Sequence, residues 1–319
     1  MNKKISIIVS FYNEEKSIEP FINETLVELK KIENIDYEII FINDCSTDNS
    51  LDKLLEFHNN NKKIKIINLS RRFGPMESIM AGVNFSSGDA LINIDIDLQD
   101  PPSLIKEMIK YWREENYDVV FTTRTKRHGE TFVKKFVSSI GYKILKKFTN
   151  IPIEKDSGDF RLISRRVIEE YKKFSEVYPF FRFVIDWIGF KRKQIFYERN
   201  ARRKGETKHP FGLGIFFNFF EISLTPFTDA PIRFALVFGI LSFFVCLLIM
   251  LRTLFLYLSG EPDISTTSLF VAILFFGSIQ SLILGVLSVY IGSIFKETKK
   301  RPLYIVESSI GFNNLEEKS

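Results

Sequence analysis

The chain has 319 residues, 45% of them hydrophobic and 26% charged, with 33 phenylalanines. This mixture excludes a disordered chain, a collagen-like repeat and a small disulfide scaffold, and the length allows a large buried core. Its 44 basic and 39 acidic residues leave a net charge of +5, too mild and too dispersed to indicate a nucleic-acid partner. Cys45 and Cys246 fall in segments of different character and are not expected to pair, which places the polar part of the chain in a reducing compartment.

The N-terminus, MNKKISIIVSFYNEE, lacks a small-residue cleavage site and reads as a first β-strand rather than a signal peptide. Apolar, β-branched runs follow at residues 5–11, 37–43, 64–70, 90–96 and 117–123. Amphipathic stretches lie between them, among them 18–32 and 104–115. Strands alternating with helices predict an α/β domain with a mostly parallel, doubly covered sheet. Ligands of such sheets collect at the carboxyl ends of the strands. Polar and acidic residues cluster at those ends: Phe11 to Glu15 after the first run, Asn43 to Asp48 after the second, and Asp95, Asp97, Gln99 and Asp100 after the fourth. No GxGxxG follows the first strand and the chain has no GxxxxGK[ST], which argues against a Rossmann dehydrogenase and a P-loop ATPase. The run DIDLQDPP (95–102) is expected to hold two carboxylates on one side of a strand end, suited to Mg²⁺ or Mn²⁺ with the remaining coordination from a diphosphate and water.

Beyond residue 123 come GDFRL (158–162), an aromatic and basic segment at 176–194 expected to be mainly core, and RNARRKGETKHP (199–210). Phe211 to Arg233 is rich in phenylalanine and broken by Pro226 and Pro231, which suggests an interfacial helix. From Phe234 to Leu251 there are 18 uncharged residues, and from Ser268 to Phe295 there are 28. Each run is long enough to cross about 30 Å of hydrocarbon. Arg233 precedes the first span, Lys296, Lys299, Lys300 and Arg301 follow the second, and the loop between them has no basic residue. The charge pattern predicts both termini on the cytoplasmic side of the inner membrane. Arg252, at the outer end of the first span, is expected to snorkel to the headgroups. The expected organisation is therefore a cytoplasmic domain at 1–210, an interfacial segment at 211–232, two transmembrane helices at 233–296 and a cytoplasmic tail at 297–319. Gly239, Gly277, Ser281, Gly285, Ser288 and Gly292 offer close helix approach, either within one chain or in a homo-oligomer.

The ordered set VSFYNEE, NDCSTDNS, SRRFGPMESIMAG, DIDLQDPP, GDFRL and RNARRKGETKHP, followed by two spans, resembles a family 2 glycosyltransferase of the GT-A fold. More narrowly it is similar to the polyprenyl-phosphate glycosyltransferases, relatives of dolichol-phosphate mannose synthase. The resemblance covers almost the whole chain. It implies inverting transfer of a hexose from a nucleotide-diphosphate sugar, UDP-glucose being the guess, to polyprenyl (undecaprenyl) phosphate. Phe11 and Glu14 would then contact base and ribose, Asp44 the base, and Asp95 the sugar or ribose. Asp97 and Gln99 would hold the metal with the diphosphate, Asp159 would be the catalytic carboxylate with Arg161 offsetting its charge, and Arg124, Arg199, Arg202 and Lys208 would contact phosphates. Asn43, Cys45 and GPMES (74–78) depart from the family pattern, which leaves the sugar and the base open. A processive polysaccharide synthase would carry a Gln-x-x-Arg-Trp motif, into which neither Trp112 nor Trp187 fits, and a noncatalytic scaffold would lack the carboxylates and arginines present here.

Overall fold

A computed structural model describes residues 3–125, 157–174, 181–198, 230–259 and 266–312. These fall into two compact units, one comprising the described residues up to 198 together with 302–312, the other those from 230 to 301.

In the first unit the chain runs β1 (Lys3–Phe11), α1 (Glu15–Lys30), β2 (Ile35–Asn43), α2 (Ser50–Asn60), β3 (Ile64–Leu69), α3 (Pro75–Phe85), β4 (Ala90–Asn93), α4 (Leu104–Glu115) and β5 (Val119–Arg124). It continues with β6 (Ser157–Ser164), α5 (Arg165–Lys172), α6 (Phe181–Ile188), β7 (Arg192–Tyr197) and, at its end, β8 (Val306–Ile310). Among the described residues one eight-stranded sheet forms, in the order β7-β5-β6-β4-β1-β2-β3-β8. β4, β1, β2 and β3 are parallel, as are β5 and β7, whereas β6 and β8 run antiparallel to their neighbours.

The expected strands and helices are present with shifted ends. Ile5 to Val9 and Ile39 to Ile42 are buried on both sheet faces, as the continuous β-branched runs require. Helix α1 buries Ile18, Phe21, Ile22, Thr25 and Leu29, the spacing of one helical stripe, and α4 buries Ile105, Met108, Ile109 and Trp112. Gly74, at φ 127, turns the chain into α3, and Pro75 occupies the first helical position, where a missing N–H is harmless.

Three features differ from the expectation. Strand β4 ends at Asn93, so Asp95 and Asp97 sit in the turn beyond it, where Leu98 adopts φ 57, and not on one side of a strand. GDFRL lies inside antiparallel strand β6, with Phe160 and Leu162 in the core. The segment expected as a tail contributes β8, exposed at Glu307, Ser308 and Ser309 and half-buried only at Val306 and Ile310, as suits a sheet edge. The described part of the segment 176–194, from residue 181 on, does enter the core, with Phe181, Phe183, Val184 and Ile185 buried.

The second unit contains α7 (Ala230–Leu258) and α8 (Thr266–Thr298), both long and apolar enough to cross a membrane. Phe243, Leu248, Phe255, Leu274, Leu282 and Ile291 are more than half exposed, so these helices are not the core helices of a soluble domain. A Cβ on Gly239 would meet Ile283 at 3.8 Å, but one on Gly277, Gly285 or Gly292 would meet nothing within 4 Å. Gly277, Gly285 and Gly292 therefore do not serve the packing of α7 on α8.

Candidate active site

The carboxyl ends of β1, β2 and β3 are joined by neutral, directional bonds. Phe11 closes β1, is buried, and packs edge-on against Phe41 with ring centroids 6.4 Å apart. Asn13, at φ 52, donates its backbone N–H to Ser46 Oγ at 3.0 Å and accepts from the Thr47 N–H at 2.8 Å. Glu14, nearly buried, accepts from the Ser17 hydroxyl at 2.9 Å, and its own N–H donates to Ser50 Oγ at 3.1 Å. Asp44 Oδ1 accepts from the Phe73 N–H at 2.7 Å and Oδ2 from the Gly74 N–H at 3.0 Å. The expected base-binding carboxylate thus also fixes the loop between β3 and α3. Over this loop the Arg72 guanidinium stacks on the Tyr12 ring at 4.1 Å. Glu77, in the first turn of α3, is held above the usual carboxylate range by burial and, secondarily, by Asp44.

Charge dominates the ends of β4, β5, β6 and β7. Asp95 is exposed and Asp97 half-buried, with Asp97 Oδ1 accepting from the Gln99 N–H at 3.1 Å in an Asx-turn. Asp100, 1% exposed, accepts a hydrogen bond from the Tyr197 hydroxyl and lies 3.9 Å from Arg124 Nη2. Tyr197 in turn accepts from Arg124 Nε at 3.2 Å. Burial works against the Arg124 charge, but Asp100, the Tyr197 hydroxyl and Asp95 outweigh it and raise its pKa. Burial and the Asp100 charge push Tyr197 up to about 12. A Cβ on Gly158 would come within 3.2 Å of Arg124 Nη2, so a glycine there lets the guanidinium lie across the start of β6.

Asp159 is half-buried on β6, and Asn93 of β4 donates to its backbone carbonyl at 2.9 Å. Its Oδ1 is enclosed and has no hydrogen-bond partner. Arg161 was expected to offset the Asp159 charge. Its side chain is instead fully buried and bonds to Gly158 O at 3.1 Å, Ser157 Oγ at 3.3 Å and Asp186 Oδ1 at 3.5 Å. Asp159 reaches it only through its field. Burial pulls Arg161 down against the attraction of Asp186, and pushes Asp186 up against Arg161 and Arg192, which lies 3.4 Å away. The pairing of Arg161 with Asp186, and the parts of Asp100 and Tyr197, were not read from sequence; only the position of Asp100 in DIDLQDPP hinted at its part. Arg199, Arg202 and Lys208 lie outside the described residues.

Among the described residues no group of three His, Cys, Asp or Glu side chains forms a cage for a metal ion. Asp97 and Gln99, in the turn beyond β4, nevertheless supply hard oxygen donors of the kind that Mg²⁺ or Mn²⁺ uses when phosphates and water complete its shell. Such a sparse donor set fits the ion without a closed cage.

The mostly parallel sheet, with acidic and arginine side chains gathered at its strand ends, is of the GT-A type. Residues 6–172 match the model described as glycosyl transferase family 2, and the chain belongs to that family: it is a glycosyltransferase. An uncharacterized glycosyltransferase, YkcC of Bacillus subtilis (strain 168), is 43% identical over 97% of this chain and 95% of its own length. The prophage bactoprenol glucosyl transferase homolog of Escherichia coli (strain K12) is 34% identical over 95% of this chain and 98% of its own. The bactoprenol glucosyl transferase of Shigella phage SfX is 32% identical over 96% and 99%.

Proposed function

We propose that this glycosyltransferase moves one hexose from a nucleotide-diphosphate sugar, UDP-glucose being the first candidate, to polyprenyl phosphate at the cytoplasmic face of the membrane, with inversion at the anomeric carbon. The observation that carries the proposal is the pairing, in one chain, of two helices able to span a bilayer with a family 2 domain collinear with bactoprenol glucosyl transferases. The basic residues flanking the spans support a cytoplasmic position for both termini.

In this proposal Phe11, Glu14 and Asp44 bind the nucleoside, Asp95 the ribose or sugar, and Arg124, Arg199, Arg202 and Lys208 the phosphates. A Mg²⁺ or Mn²⁺ ion bound through Asp97 and Gln99 would neutralise the departing diphosphate. The Arg124 guanidinium, kept charged by Asp100, adds a planar donor for the same negative charge. The attacking phosphate monoester has a second pKa near about 6 and is mostly dianionic at neutral pH, so it needs little deprotonation. Asp159 therefore orients the nucleophile or accepts its residual proton. Asn93, holding the Asp159 carbonyl, and Arg161, holding that of Gly158, fix the backbone that presents it.

The test is to incubate the purified full-length protein in detergent with undecaprenyl phosphate, Mg²⁺ or Mn²⁺ and a panel of nucleotide sugars. Mass spectrometry should find a glycolipid of one added hexose, and NMR a β linkage from an α donor. Absence of a lipid-linked sugar with every donor would sink the acceptor assignment, and an α linkage would sink inversion.

A further inference from the structure

The C-terminal strand reaches into the end of the sheet that carries the neutral half of the site. β8 pairs with β3 so that Ile66 faces Ile310, Ile67 faces Ser309 and Asn68 faces Ser308; the register then shifts, and Leu69 faces Val306. Glu307 is the extra residue of a bulge, a device that re-aims side chains beside it.

The bulge sets Ser308 against Asn68, which is 6% exposed and donates from Nδ2 to Ser308 Oγ at 2.9 Å. Asn68 Oδ1 accepts from Asn43 Nδ2 at 3.2 Å, and Asn43 Oδ1 accepts from the Ser46 N–H at 3.0 Å. Ser46 Oγ then accepts the Asn13 N–H at 3.0 Å. Five residues thus link β8 to the loops after β2 and β1. A second connection runs through the backbone: the Ser70 N–H donates to Ile305 O at 3.0 Å. Ser70 opens the loop whose Phe73 and Gly74 amides hold both oxygens of Asp44. Two side chains in this chain of bonds are buried amides, and a buried amide that loses a partner seeks another geometry.

We propose that β8 is a positioning element for nucleotide binding, with Ser308 as the residue that fixes the Asn68–Asn43 amide pair and through it the loops bearing Asn13 and Asp44. The proposal rests on the assignment of the β1–β3 ends as the nucleotide site. Ser308 touches no ligand in this account and acts through Asn68.

The test uses the full-length protein in detergent with Mn²⁺ and the diphosphates of adenosine, cytidine, guanosine, uridine and thymidine as probes. Ser308→Ala should raise the dissociation constant of whichever diphosphate binds the wild type about five- to tenfold, the scale of one hydrogen bond lost by the buried Asn68 amide. Ser308→Thr, which keeps the hydroxyl, should stay within about twofold of wild type. Hydrogen exchange in S308A should quicken at residues 44–48 and 70–74 and stay unchanged across β5. Wild-type affinity in S308A would overturn the proposal, as would an exchange increase that extends to β5, the mark of a general loss of stability. If the wild type bound none of the five diphosphates, the nucleotide site itself would be misassigned and this inference would fall with it.

Discussion

The two halves of the strand-end surface are built from different chemistry. Around β1, β2 and β3 the side chains bonded in series are Asn13, Ser46, Asn43 and Asn68, and the Asp44 carboxylate near them has each oxygen held by a backbone amide. Around β4, β5, β6 and β7 stand Asp100, Arg124, Arg161 and Asp186, charged groups largely withdrawn from water, with the Tyr197 hydroxyl bonded to both Asp100 and Arg124. Neutral amides give direction without a strong field, which suits recognition of a planar base. Buried charges give a field that persists without reorganisation, which suits a reaction that separates a diphosphate from a sugar. Mutations should therefore separate: those in the neutral half weaken nucleotide binding, and those in the charged half lower turnover or stability.

The sharpest test of that division is Asp159→Asn, which should lower kcat about 10²- to 10⁴-fold with little change in nucleotide affinity. A loss that shrinks as pH rises identifies a base, and a pH-independent loss identifies positioning. Next in size is the buried pair behind Asp159. Asp186→Leu leaves Arg161 uncompensated and should cost about 3–5 kcal/mol in urea or thermal unfolding, whereas Asp186→Leu with Arg161→Met should recover most of it. Failure of the double variant to recover would mean that Arg161 is needed for its bonds to Ser157 and Gly158 more than for its charge.

Glu38 serves as a charged reference at the opposite, amino ends of the strands. Burial would raise its pKa, but hydrogen bonds from Lys65, Ser6, the Ser87 N–H and Lys4 overcome burial and hold it at about 2. A lowered folded value means that its contribution is complete above the unfolded value of 4.5 and is lost as pH falls from there toward 2. Glu38→Gln should flatten the acid limb of a stability–pH curve across that window and leave kcat at neutral pH unchanged. Smaller again is Tyr197→Phe, which removes the hydroxyl between Asp100 and Arg124 and should lower kcat/KM about five- to twentyfold. In the neutral half, Asp44→Asn turns an N–H toward the amide of Phe73 or Gly74 and should weaken nucleoside diphosphate binding about tenfold, mostly in KM.

Much of this molecule is visible before any coordinates. Runs such as ISIIVSF and YEIIFIN have no polar alternation because both faces of a parallel strand are covered, and helices with one apolar stripe must lie on those faces. The crossover geometry gathers ligand-facing residues at the carboxyl ends, which is why the clusters at 11–15, 43–48 and 95–100 stand out by position, whereas the roles expected of Phe11, Asp44, Asp95, Asp97 and Gln99 come from the family resemblance. Uncharged runs long enough for a bilayer are equally plain, since their length and lack of charge are local properties.

Other features depend on partners far apart in sequence. GDFRL alternates polar and apolar residues over too short a run to announce a strand by itself, and pairing with β4 and β5 makes β6 favourable. Arg161 finds Asp186 25 residues away, and Asn68 finds Ser308 240 residues away, distances over which neither periodicity nor spacing carries information. The sequence by itself determined the class of fold, the spans and the end of the sheet where chemistry gathers, because each follows from short-range hydrophobic pattern. Only the tertiary structure decided which charges are buried together and which edge the last strand covers, because burial and hydrogen-bond partnership are properties of the assembled sheet.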